Sequence, residues 1–244
     1  MRLARQIGDD FAVGLYRNFV MDTIAMLRRS GIPFVVCFHP ADRLEAFRAW
    51  LGPQCEYVPQ RGRNLGERLR NGFADAFSKG FRGAIAIGSD SPDLPEETVI
   101  EAREALKLHD AVIGPSTDGG YYLIGFKSDA FLPNAFEGIA WSTDAVFGET
   151  VERLRDAALD VFVLPRWSDV DTFDDLMGLR EGIRNPDFAS SETMKYLLRH
   201  MRDLSAGDIG PIAATGVSES PGRVRLISVI VPIHREGSRL GAIR

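Results

Sequence analysis

The stretch AIAIGSDSPDLP, residues 84–95, decides the fold. It opens with a run that is apolar at every position rather than at alternate ones. That is the signature of a strand buried on both faces, and such strands belong to mainly parallel sheets covered by helices. Gly88 ends the run, and the loop behind it leads into EETVIEAREALKL (96–108), a helical stretch. Within DLPEE, Asp93 reads as the helix N-cap, with Pro95 early in the first turn and Glu96 at the third position. Asp90 is not needed for that cap. It stands just past the carboxyl end of a buried strand, where open α/β sheets place their ligands.

The same alternation extends in both directions. Residues 9–30 carry Phe11, Leu15, Phe19, Ile24 and Leu27 near helical spacing, with Gly31 as a stop. PFVVCFH (33–39) reads as a buried strand, RLEAFRAWL (43–51) as a helix, and EYVPQ (56–60) as a short strand. Asn64 is placed to cap LGERLRNGFADAFSKG (65–80). Downstream come the strands DAVIGP (110–115) and YYLIGF (121–126), a helix near 145–158, the strand VFVLP (161–165), and helices near 172–184 and 191–201. The expected fold is α/β, with a mixed, mainly parallel sheet and helices on both faces. Two departures stand out. The first element is a helix, and residues 203–223 form a Gly-, Ser- and Pro-rich linker before a last apolar run, VRLISVIVPIHREGSRLGAIR (224–244).

With 244 residues, 45% hydrophobic and 26% charged, the composition is that of an ordinary globular chain, a core domain over 1–202 and a fragment after it. A net charge of −5 argues against binding a nucleic acid polymer, which needs clustered Lys and Arg. Cys37 and Cys55 form no CxxC and no zinc-spaced set with histidine, so a reducing, cytoplasmic compartment with structural thiols is expected. No run reaches the length of a membrane span, and the N-terminus lacks a signal-peptide core. The four histidines are scattered, with no nucleophile–histidine pair in view.

A second acidic group matches the first. WSDVDTFDDL (167–176) holds Asp169 and Asp171 two apart in an extended segment, hence on one face. Thr172 or Asp171 caps the following helix, whose stripe is Phe173, Leu176 and Leu179, and Asp174 and Asp175 suit its first turn. Asp169 has no such structural role. Carboxylates converging on one face repel each other unless a cation lies between them, and Mg²⁺ or Mn²⁺ is the cation that oxygen ligands suit. GPSTDGGYYLIGF (114–126) reads as a tight hairpin through Asp118, Gly119 and Gly120, and its glycines also permit close approach of a ligand. Tyr121 and Tyr122 point to opposite faces. QRGRNLGERL (60–69) starts a helix whose amino end suits a phosphate or ribose, or is simply a capped surface helix with solvated arginines. Trp141 is either core or a stacking wall.

Taken in order, GSDSPDLP, DGGYYLIGF, WST and DVDTFDDL resemble the GT-A-type nucleotide-diphospho-sugar transferases over about residues 1–202. They are most similar to a bacterial branch of glycosyltransferases, some linked to arsenosugar biosynthesis. The resemblance implies a Rossmann-like fold with Asp90, Asp169 and Asp171 as the metal and phosphate site, Asp90 and Asp171 being catalytic. It implies Arg2, Leu65, Gly66, Arg68 and Asp90 near the nucleotide, and Asp118, Gly119, Gly120, Tyr121 and Trp141 at the acceptor. Such relatives open with a strand and a Pro/Gly-rich phosphate loop, of which only Arg2 and Leu3 remain here. The tail LISVIVPIHREGSRL (226–240) resembles the opening of a family-2 glycosyltransferase, which implies fusion to such a domain; a second reading has this strand folding back into the vacant first-strand position.

Three functions follow from these residues. The first is a metal-dependent transferase passing sugar from a nucleotide-diphospho-sugar to a small acceptor. The second is nucleotidyl transfer from an NTP to a phosphorylated acceptor, favoured by SDSP lacking an Asp-x-Asp. The third is a non-catalytic binding domain beside a fused glycosyltransferase.

Overall fold

The computed structural model describes residues 3–181, 185–205 and 228–233. The chain opens with two helices, α1 (Ala4–Ile7) and α2 (Asp9–Arg29). Strands and helices then alternate: β1 (Val35–Phe38), α3 (Leu44–Leu51), β2 (Glu56–Pro59), α4 (Leu65–Ser78), β3 (Gly83–Ile87) and α5 (Glu96–Leu108). After them come β4 (Ala111–Pro115), β5 (Tyr121–Lys127), α6 (Val146–Asp156), β6 (Val161–Val163), α7 (Phe173–Glu181), α8 (Glu192–Ser205) and β7 (Ser228–Ile233). Of the expected linker 203–223, residues 203–205 are instead the end of α8, and 206–223, the tail positions on either side of β7, and residues 182–184 at the expected end of α7 lie outside the described residues.

The strands form one sheet in the order β2-β1-β7-β3-β5-β4-β6. β1 with β2 and β4 with β6 pair in parallel, while β5 runs antiparallel to β3 and β4. β7 is antiparallel to β1 on one side and β3 on the other. All strands except β5 and β7 therefore point the same way, and the sheet is mixed but mainly parallel in direction.

Helices cover both faces. On one, Ile85, Ile87, Val112 and Leu123 meet Val20, Ile24 and Leu27 of α2, Phe47 of α3 and Val99 of α5. On the other, Ala84, Ala86, Ile113, Ile124 and Phe126 meet Phe73 of α4 and Leu154 of α6. This period-two division is why β3 reads as wholly apolar: neighbouring residues serve opposite cores. A third cluster lies off the sheet, where Phe11, Leu15 and Phe19 of α2 pack with Leu176 and Leu179 of α7 and with Met194 and Leu197 of α8.

Candidate active site

The carboxyl ends of β3, β4 and β6 lie at the same end of the sheet, with the start of β5 between β3 and β4, and backbone hydrogen bonds tie together the loops that leave them. Beyond β6 the chain continues beside β4: Leu164 N donates to Ile113 O (2.9 Å) and Trp167 N to Pro115 O (3.0 Å). Thr117 N then donates to Trp167 O (3.1 Å), next to a parallel bridge between Ser116 and Trp167. Three residues on, Val170 N donates to Asp90 O (2.9 Å). These bonds bring the Asp169–Asp171 segment against both the β4–β5 hairpin and the loop after β3.

Four carboxylates meet there. Oxygens of Asp118, Asp169 and Asp171 lie within 4.8 Å of one another. Asp90 is close enough that the charges of Asp171 and Asp118 act on it: burial first, then those two neighbours, pushes its pKa up to about 6. Asp169 is pushed up to about 7, by burial first and then by Asp118, Asp171 and Asp90. Thr117 Oγ1 donates to Asp169 Oδ1 at the long distance of 3.5 Å. Such a group of hard oxygen donors, held together against its own repulsion, fits Mg²⁺ or Mn²⁺. The three oxygen donors nearest to one another differ from the expected set. Asp118, assigned by resemblance to the acceptor, stands with Asp169 and Asp171, while Asp90 joins them through its charge.

The hairpin explains how Asp118 is aimed. Gly120 N donates to Asp118 Oδ1 (2.8 Å), Ser116 Oγ bonds the same oxygen, and Ser116 N donates to Gly120 O (3.0 Å). Gly119 has φ +91°, and a Cβ there would lie 2.3 Å from both Cα and O of Asp144. Phe147 N donates to Gly119 O (2.8 Å), so the turn is clasped to the start of α6.

The loop 137–145, quoted above for its WST, joins this hairpin to α4. The Trp141 ring lies edge-on to Tyr121, with centroids 6.4 Å apart. A Cβ on Gly66 would come within 2.9 Å of Trp141 and 2.5 Å of Phe136 O. Gly66 is thus required by the approach of Trp141 to the amino end of α4. Glu137 of the loop pairs with Arg70 (3.0 Å), and its carbonyl accepts from Arg153. Ser142 is held at φ +70°. The half-buried Trp141 thus lies between Leu65–Gly66 and Tyr121, bringing two of the expected subsites together. Tyr121 and Tyr122 pack on opposite sides, in the α4–α6 and α2–α5 cores respectively.

Asn64 caps α4 as expected, its side chain accepting from Glu67 N (2.8 Å). Arg68 Nε donates to Gly62 O (3.1 Å), and its charge, after burial, lowers the pKa of His39 at the end of β1. Arg61, Arg63 and Arg70 are engaged in ion pairs with Asp75, Glu67 and Glu137. Arg2 lies outside the described residues. Thr172 caps α7, accepting from Asp175 N (3.2 Å), while Asp175 Oδ2 accepts from Thr172 N (2.8 Å) in return.

One expectation is corrected. Asp93 does not cap α5: the cap position belongs to Pro95, which makes no side-chain cap bond. The chain is still extended at Pro95 (ψ 147°), so Asp93 lies too far back to reach the first turn. It turns inward instead and accepts from Trp167 Nε1 (2.9 Å) at 5% exposure. Trp167 was the residue missed by sequence reasoning. It orders the SDVD segment from both its backbone and its ring, and its place directly before that motif was the available signal.

The comparisons agree with this architecture. Residues 23–143 match a family described as an uncharacterized protein conserved in bacteria (DUF2064). The crystal structure of a "putative nucleotide-diphospho-sugar transferase" from Desulfovibrio desulfuricans G20 is similar, at 43% identity and a TM-score of 0.80. The match covers 86% of this chain and 91% of that one. None of the curated proteins matches the chain. Among the described residues, no helix is long and apolar enough to cross a membrane.

Proposed function

We propose that this chain, which belongs to the family of the 43%-identical Desulfovibrio protein and matches DUF2064 over residues 23–143, is a metal-dependent transferase that takes a nucleotide-diphospho-sugar as donor and a small molecule as acceptor. The observation that carries the reading is the group formed by Asp118, Asp169 and Asp171 within 4.8 Å, at the carboxyl ends of strands. The name borne by the similar Desulfovibrio protein supports the donor class.

In this reading Asp118, Asp169 and Asp171 hold Mg²⁺ or Mn²⁺, with Asp90 beside them. The ion, when bound, offsets negative charge on the donor's diphosphate. The protein's own residues do the rest. Asp118 is fixed by Gly120 N and Ser116, so its carboxylate needs little reordering on binding. Leu65, Gly66 and Arg68 at the amino end of α4 adjoin the nucleotide, with Trp141 and Tyr121 as the aromatic wall between it and the acceptor. Exclusion of water by that wall would limit transfer to solvent.

Nucleotidyl transfer is the second reading, and one observation favours it: the loop after β3 carries SDSP without an Asp-x-Asp, and the carboxylates are gathered from three separate loops. The test is calorimetric titration of UDP, GDP and their sugars with Mn²⁺, on the parent chain and on Asp118→Asn and Asp169→Asn. The expected result is binding that needs the metal and is lost in both variants. Turnover that releases a nucleoside diphosphate supports sugar transfer, and pyrophosphate supports the second reading. Metal-independent binding, unchanged in both variants, would overturn the site.

A further inference from the structure

β1 and β3 point the same way but are not paired with each other in the sheet; β7 lies between them. Its register runs Val35↔Ile230 to Cys37↔Ser228 on one side and Gly83↔Ile233 to Ile87↔Val229 on the other. Among the described residues β7 alone joins the β2-β1 ribbon to the β3-β5-β4-β6 block by backbone pairing. Without β7, β1 and β3 would each present an open edge of unpaired N–H and C=O groups, and β3 is buried along its whole length.

The occupant is also distinctive. SVIVPI is β-branched, apolar and uncharged, as a strand enclosed on both edges requires. Its one proline, Pro232, lies past the last residue paired with β1, so only the β3 side runs alongside it. Residues 206–227 separate β7 from α8; their length, up to about 75 Å if extended, allows the strand to leave without moving α8.

We propose that the gap between β1 and β3 is a strand-binding site, and that its ligand is the segment 228–233, supplied in the antiparallel direction by the chain itself. The segment binds by adding backbone ladders on both edges, in the manner of strand addition to a sheet. The slot fixes the position of β3, whose carboxyl end leads directly to Asp90.

The experiment uses the full chain with a protease site inserted between Ala214 and Thr215. After cutting, fragment 215–244 is expected to co-elute with the body on gel filtration. Amides of 35–38 and 83–87 stay protected from hydrogen exchange. A labelled synthetic peptide of residues 224–235 then replaces the cut fragment, with the protection unchanged. In the uncut chain, Ile230→Pro should lose that protection at least tenfold, because residue 230 is paired on both sides; Ala213→Pro should not. Separation of the fragment with the β1 and β3 amides still protected would overturn the proposal, as would full protection in Ile230→Pro.

Discussion

Asp22 illustrates how much one buried carboxylate does in this fold. It sits on α2, yet its two oxygens accept from Glu192 N and Thr193 N, both at 2.9 Å, so it caps the amino end of α8 from another helix. Burial raises its pKa, and the hydrogen bonds from the α8 end oppose that rise. Asp22→Ala leaves two amides without their acceptor and should cost about 2–4 kcal/mol, by urea denaturation, with metal binding unchanged in the folded fraction. The cap was not legible in the sequence, because its partners are far away in the chain. The same blindness affected Asp93. DLPEE satisfies every local rule for a capped helix, but the indole of Trp167 offers a buried donor that no local rule contains. By contrast, Asn64 and Thr172 cap their own helices, and there local chemistry sufficed.

At the scale of elements, the sequence patterns that repeat over a strand or a helix were read correctly: the bounds of β3, β4, β5 and α5 follow from apolar runs and their stops. What the pattern could not supply was the meeting of the loops, since Asp118 reaches Asp169 only through the register of the chain past β6 along β4. The hairpin that carries Asp118 depends on Gly119. Gly119→Ala adds a Cβ at φ +91° and 2.3 Å from the Asp144 backbone, and should destabilise by about 2 kcal/mol or more while weakening Mn²⁺ binding. The grouped carboxylates also set a pH dependence. Asp90 and Asp169 have pKa values of about 6 and 7 in the fold, above those of the unfolded chain. The folded state therefore holds protons that the unfolded state releases, and stability falls as pH rises through 6 and 7. With chelator present, Tm should drop from about pH 5 to about pH 8, and Mn²⁺ should raise Tm more at the higher pH. A Tm flat in pH and indifferent to Mn²⁺ would show that the charges do not meet as described.

For the whole molecule, α2 is the element that ties the third cluster to one of the two sheet cores. Its amino-terminal half packs against α7 and α8, and its carboxyl-terminal half against the sheet. Trp50 and Trp167 flank one sheet core and Trp141 the other, so fluorescence reports the sheet, while far-UV circular dichroism also reports α7 and α8. The two signals should trace one coincident urea transition; a helical phase melting ahead of the fluorescence would make the third cluster an independent unit. The place of β7 carries a consequence for how the chain is made. Pairs such as Val35↔Ile230 lie nearly 200 residues apart, and every other strand among the described residues is synthesised first. On a ribosome the two parts of the sheet must wait side by side with bare edges until β7 emerges. Long-range closure of this kind is slow and exposes the waiting edges to other chains. The growing polypeptide is therefore in most need of chaperone protection from the emergence of β3 until that of β7.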